Sequence, residues 1–193
     1  MSNSKASDPG QIRLSPSKMR ILRPDLYGIR GTWRAVQEKM GKKFEDEIGY
    51  ITRLLLKGDS RAAVVVSLHP LLVAAYTDEM DCIAMLRFPA SFIPAYSLEV
   101  GSRLLTVNFY GDRPLTRDLI AGPRNTGNWG WFHPAIADFL SDDLDRIQRR
   151  KSQINEKEWE RCSAMGNEYL RLKPKMARDG RPGHAGDPAE PFE

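Results

Sequence analysis

The sequence predicts an α+β fold, a mainly antiparallel three- to five-stranded sheet covered by helices from both ends of the chain. Three observations predict it. Apolar runs rich in β-branched residues fill the middle of the chain. Stripes at helical spacing lie on both sides of them. The segments between the central runs are too short for the crossover that a parallel pair of strands requires.

Taken in order, residues 1–25 mix Ser, Pro, Gly and basic side chains without a sustained period, and Pro16 and Pro24 oppose a continuous helix. They are expected to be a disordered basic arm. Residues 26–172 are expected to form a single α+β domain. Trp33, Val36 and Met40 recur at helical spacing, with Thr32 as cap and Gly41 as terminator, and predict a first helix. Phe44, Ile48, Ile51 and Leu55 make a second stripe, with Glu45, Asp46 and Glu47 in its first turn, Arg53 and Lys57 near its end and Gly58 beyond. Ala62–Leu68 is almost free of polar side chains and reads as a strand buried on both faces. Leu71–Thr77 and Cys82–Phe88, separated by Asp78-Glu79-Met80-Asp81, read as an antiparallel hairpin. Leu105, Val107 and Phe109 alternate with Thr106, Asn108 and Tyr110 and predict a further strand with one wetter face.

Residues 111–131 hold six Gly or Pro and predict a long irregular connection. Pro134 is placed as the first residue of a helix striped by Ile136, Phe139, Leu140, Leu144 and Ile147 and ending in Arg149-Arg150-Lys151. A last helix follows, capped by Asn155 with Glu158 and striped by Trp159, Cys162, Tyr169 and Leu170. From Lys173 to Glu193, seven of 21 positions are Pro or Gly, so 173–193 is expected to be a disordered Pro/Gly-rich tail.

Composition narrows the class. With 41% hydrophobic and 28% charged residues, the 193-residue chain is an ordinary globular one, long enough for a sizeable core. Its longest apolar runs, Ala62–Val66 and Leu71–Tyr76, fall far short of the roughly 20 residues that cross a bilayer, so no membrane association is expected. The polar N-terminal residues lack the apolar core of a secretory leader, and a cytoplasmic protein is expected. Cys82 and Cys162 form neither a disulfide framework nor a zinc spacing and read as reduced thiols. The net charge of +4 is uneven: +5 over residues 1–34, −4 over 35–145 and +3 over 146–193. Basic flanks on an acidic body suit contact with phosphate or an acidic partner.

Three constellations are candidates for chemistry. Asp78, Glu79 and Asp81 crowd one turn, where they would serve a cation or a general base, although turns favour acidic residues for solvation alone. His69 and His133 would be their catalytic partners in a small hydrolase or a metal-assisted enzyme. Neither has a metal-ligand spacing, and the plainer roles are a strand end for His69 and a helix neighbour for His133. No metal site or cofactor is indicated, since the phosphate-cradling glycine motifs, the EF-hand pattern and the nucleophile elbow are all missing from the sequence. The third candidate is Trp129, Trp131 and Phe132, set among turn-forming residues; aromatics on a loop anchor binding, or fold back as a lid over the core. Lys18, Arg20, Arg23, Arg30 and Arg34, with Arg149, Arg150 and Lys151, would support salt-sensitive nucleic-acid association. The expected function is a non-enzymatic module that binds or regulates another macromolecule, with a protein as partner.

Overall fold

The computed structural model describes residues 8–27, 47–112, 114–125 and 127–192. The expected helix on Trp33, Val36 and Met40 lies outside the described residues, as do Arg30 and Arg34. Helix α1 (Pro16–Leu22) begins with Pro at its first turn behind Ser15, whose hydroxyl accepts the Lys18 N–H, and it buries Met19 and Leu22. A 3-10 turn, Pro24–Tyr27, follows. Helix α2 (Glu47–Lys57) buries Ile51, Leu54 and Leu55, with an acidic first turn and a basic last one. It ends at Gly58, where a Cβ would stand 2.5 Å from the Leu54 carbonyl oxygen and 2.7 Å from a Val107 methyl, so only glycine lets the chain pass there.

Strands β1 (Asp59–Leu68), β2 (Leu71–Thr77), β3 (Cys82–Phe88) and β4 (Arg103–Gly111) follow the central apolar runs, with a one-turn helix α3 (Phe92–Ala95) before β4. Beyond them come β5 (Ile120–Ala121), β6 (Trp131–Ile136), a 3-10 turn at Ala137–Phe139, α4 (Leu144–Gln153), α5 (Glu156–Leu172), β7 (Met176–Asp179) and β8 (Glu190–Pro191). Strand periodicity divides the core in two. Val64, Ala74 and Met85 lie in register on the face that meets Trp159, Cys162 and Met165 of α5. Their neighbours Val65, Val73 and Leu86 belong to the opposite cluster, which gathers residues of α1, α2 and α4 and the aromatic group Phe88, Phe92 and Phe139. Helix α5 sits close because it carries a glycine at the contact. A Cβ on Gly166 would stand 2.7 Å from the Ala74 Cβ and 2.9 Å from a Val66 methyl. Gly166→Ala is therefore expected to cost about 2 kcal/mol by forcing the helix off the sheet. Urea unfolding checks this, and a loss under about 0.5 kcal/mol would mean that the helix retreats freely.

The sheet differs from the expected one in size and in type. The class is α+β, but the strands form one eight-stranded mixed sheet in the order β6-β4-β1-β2-β3-β7-β8, with β5 also on β3, curled into a half-barrel. The three- to five-stranded, mainly antiparallel sheet is thus too small and misses the parallel pairing of β3 with β7. Two segments account for the difference. Residues 131–136 were expected to pass from loop to helix at Pro134, yet they pair with β4, with His133 opposite Phe109 and Phe132 opposite Tyr110. Pro134 is tolerated because β6 is an edge strand, where a missing N–H leaves no ladder bond unmade. The helix instead starts at Leu144, capped by Asp143 accepting the Arg146 N–H. The second segment is the C-terminal one, which contributes β7 and β8.

Parts of both flanking stretches lie among the described residues. Residues 8–12 run beside the α2–β1 junction: Gly10 N–H donates to the Gly58 carbonyl at 2.9 Å and Ile12 N–H to that of Leu55 at 3.1 Å. Ile12, Met19 and Ala185 are fully buried.

Candidate functional site

The hairpin between β2 and β3 turns tightly at Asp78–Asp81, and Asp81 adopts a left-handed conformation (φ 43°) that Asp tolerates better than most residues. Its carboxylate is buried and its acceptor capacity is taken up. Oδ1 accepts from the Tyr76 hydroxyl at 2.9 Å and Arg161 Nε at 2.6 Å, while Oδ2 accepts from Arg161 Nη2 at 2.5 Å and the Arg124 N–H at 3.0 Å. Burial alone would raise its pKa, but the hydrogen bonds from Arg161, the Arg124 backbone and Tyr76 outweigh it and hold the carboxyl well below the usual range. A carboxylate so engaged has no lone pair left for a metal or for a substrate proton.

The other members of the acidic cluster do not join it. Asp78 turns to the Arg61 guanidinium, and Glu79 is exposed. His69 is exposed at the turn between β1 and β2, and His133 is buried in β6. Neither histidine donates to, or accepts from, these three carboxylates. Among the described residues, no group of His, Cys, Asp and Glu side chains is arranged to hold a metal ion.

The acidic turn does meet the loop of residues 122–131. Gly122 N–H donates to the Asp81 carbonyl at 2.6 Å, and Asn125 Nδ2 donates to the Met80 carbonyl at 2.6 Å and to Cys82 Sγ at 3.2 Å. Asn125 Oδ1 in turn accepts the Gly127 N–H at 2.8 Å, where φ is +72° and glycine is the natural occupant. The three aromatics then separate. Phe132 is fully buried with Met80, Cys82, Ala84 and Leu119. Trp131 is half-buried and its Nε1 donates to the Gly186 carbonyl at 2.6 Å. Trp129 is half-buried and stacked on Tyr110 with centroids 6.3 Å apart, and the Arg124 side chain is 66% exposed. Phe132 thus lies inside the fold, whereas Arg124, Gly127 and Asn128 are exposed.

Two buried polar centres were missed by sequence reasoning. The first is at the start of β1, where Asp59-Ser60 read only as a strand boundary. Asp59 accepts from Tyr110 Oη at 3.0 Å and the Asp8 N–H at 3.0 Å, and lies 2.9 Å from Arg61 Nη2. Arg61 also reaches Asp78 and Asp8. The second centre is Arg178 on β7, whose only sequence signal was an arginine between Ala177 and Asp179 in a Pro/Gly-rich stretch. Its Nε donates to Asp118 Oδ2 at 2.6 Å, its Nη1 to the carbonyls of Phe132 at 2.9 Å and Ala185 at 3.1 Å, and its Nη2 to Thr116 Oγ1 at 3.2 Å. The guanidinium thereby ties β7 to edge strand β6, which it does not pair with.

Several of the basic residues that the sequence offered to phosphate are engaged inside the fold. Arg23 is buried, paired with Asp25 and Glu47 and bonded to the Pro182 carbonyl. Lys18 donates to the carbonyls of Asp138 and Ser141, Arg150 to Ser60 Oγ, and Lys151 to Asp138.

Asp59 and His133 respond to pH in opposite senses. Burial pushes the Asp59 carboxyl up to about 6, against the pull of Arg61, the Asp8 N–H and Tyr110, with Asp78 adding to the rise. Burial, with Arg178 and His184 nearby, pushes the His133 imidazole down to about 3. Stability from Asp59 is present in full below the unfolded value near 3.8 and is lost as pH rises through 6. Stability from neutral His133 is present above the unfolded value of 6.5 and is lost as pH falls toward 3. Each slope is about 1.4 kcal/mol per pH unit, so the two offset one another between about pH 4 and pH 6. Asp59→Asn should expose a loss of stability on acidification, and His133→Asn a gain. Urea midpoints over that range test the pair, and two flat profiles would refute it.

Comparison of the chain with protein families, curated proteins and solved structures finds no match.

Proposed function

We propose that the chain is a non-enzymatic binding module that engages a protein partner through the outer part of the 122–131 loop, with Arg124 and Trp129 as contact residues. The observation that carries this reading is the pinning of the loop by Asp81: a buried carboxylate joins Arg161 of α5 to the Arg124 backbone, while its own carbonyl holds Gly122. A loop ordered in advance loses less conformational entropy on binding, and arginine and tryptophan are the side chains that most often dominate interface energies. A catalytic reading based on Asp78, Glu79, Asp81 and a histidine lacks comparable support, because these groups point to different partners.

A cytoplasmic setting belongs to the same proposal. Both cysteines are buried free thiols, and burial raises the pKa of Cys82 to about 11, which keeps it protonated and unreactive. Among the described residues, no helix is long and apolar enough to cross a membrane.

The test is affinity capture by the full-length chain from its native extract, with and without nuclease, beside an Arg124→Ala/Trp129→Ala variant. A nuclease-resistant protein retained by the parent and reduced at least tenfold with the variant is the expected result. Equal capture by both chains would sink the proposal, as would capture that nuclease abolishes. Thermal melting of the variant, expected within a few degrees of the parent, separates a lost contact from lost folding.

A further inference from the structure

Two of the large apolar side chains left in water, Leu115 and Leu172, are 47% and 50% exposed and line the same cleft. The cleft holds about 700 Å³ and is walled by the Pro114–Asp118 segment, the end of α5 with Pro174 and Met176, and Pro188. Its lining is mainly apolar, as the lining of a binding cleft commonly is. Two cations stand on it. Lys173 Nζ donates to the Arg117 carbonyl at 2.7 Å, and neither Lys173 nor Arg117 has a carboxylate partner among the described residues. The one lining carboxylate among the described residues, Asp118, has a side chain 3% exposed and neutralised by Arg178 through Oδ2, while its Oδ1 is buried with no hydrogen-bond partner among the described residues. A buried acceptor left unmade is costly, so a donor brought to it would be favoured.

From these features we infer that the cleft receives an acidic peptide segment of a partner protein. An aliphatic or aromatic side chain of the segment covers Leu115 and Leu172, its carboxylate meets Arg117 and Lys173, and a backbone N–H is directed at Asp118 as the exposed Pro114–Leu115 edge yields. An acyl-chain carboxylate would satisfy the apolar walls and the two cations but brings no donor for Asp118. A nucleic acid brings phosphate without the apolar anchor. This site is separate from the 122–131 loop and does not depend on the reading given to that loop.

The experiment pans a random-peptide display library on the full-length chain, then titrates a synthetic representative of the enriched peptides against the parent, Arg117→Glu/Lys173→Glu, Leu172→Asp and Trp129→Ala. The expected result is enrichment of peptides that combine Asp or Glu with Leu, Ile or Phe. Binding of the representative should fall at least tenfold with the charge reversal and with Leu172→Asp, stay unchanged with Trp129→Ala, and weaken when the peptide backbone is N-methylated. All four positions face solvent at least in part, and unchanged melting temperatures establish that the variants remain folded. Enrichment of basic peptides, binding indifferent to the charge reversal, displacement by dodecanoate at lower concentration than by the peptide, or no enrichment at all would each overturn the inference. Peptides lost only with Trp129→Ala would belong to the loop and would leave the cleft without a ligand, which overturns it as well.

Discussion

Arg178→Met should lower the stability of the folded chain by about 4 kcal/mol, the largest single loss expected for any one side chain here. Methionine replaces the stem of the arginine but none of its donors. Asp118 would keep a buried charge with no counter-charge, and the carbonyls of Phe132 and Ala185 would lose their bonds. Removing one partner of a buried pair is costly because the other is left uncompensated, whereas replacing both by apolar groups of similar volume is often close to neutral. Arg178→Met/Asp118→Leu is therefore expected to regain more than half of the loss. Chemical denaturation of the two single variants and the double variant measures this as a coupling energy. If Arg178→Met costs less than about 1 kcal/mol, the gap between β6 and β7 is held by something other than this guanidinium. The C-terminal segment should loosen in step, since Ala185 is tied to Arg178 and Gly186 to Trp131, and amide exchange over residues 180–187 would report it.

Asp81→Asn should cost about 3 kcal/mol, and Asp81→Ala about 1 kcal/mol more. Asparagine keeps the shape and tolerates the positive φ at this position, so its cost isolates the loss of charge opposite Arg161. Alanine adds the backbone strain. Arg161 is 28% exposed and is partly rescued by water, which keeps the figure at the lower end of the range for a buried pair. The depressed pKa of Asp81 means that its contribution is present above the unfolded value of 3.8 and is lost only as pH falls below that, so both variants should be less sensitive than the parent to acid below pH 3.8. On the proposed function, Asp81→Asn also loosens the loop from Gly122 to Trp129 and weakens partner capture while the hairpin itself persists. Faster amide exchange at Gly122 and Arg124 is the direct readout. Unchanged exchange at those two sites would show that the loop orders itself without the carboxylate.

The contrast between these two aspartates, 81 and 118, reflects how much of each environment is local in the chain. The β2–β3 hairpin, the buried β1 and the start of α5 were legible because apolar period, turn residues and caps lie within a few positions of one another. The crowding at Asp78–Asp81 was legible too, but not its role, because apart from Tyr76 the donors that occupy Asp81 come from residues 43 and 80 positions away. For Trp129, Trp131 and Phe132 the sequence offered lid and binding surface as alternatives. The fold assigns Phe132 to the core and Trp131 to a hydrogen bond with Gly186, while Trp129 keeps one side toward solvent.

What the sequence by itself determined is the α+β class, the four long strands, the antiparallel hairpin and the helix that covers it, all of which depend on short-range periodicity and on burial that any compact state must achieve. Only the tertiary structure decided that Trp131–Ile136 is a strand, that β7 runs parallel to β3 and that Arg178 closes the half-barrel. Pro134 and the helical spacing of Ile136, Phe139 and Leu140 favour a helix locally, and it is the free edge of β4 that overrides them by pairing with the segment. For the C-terminal segment, Gly and Pro make order costly in isolation, and that cost is offset by the pairing of β7 with β3 and by donors to its carbonyls from Arg178 and, distant in sequence, from Arg23 and Trp131.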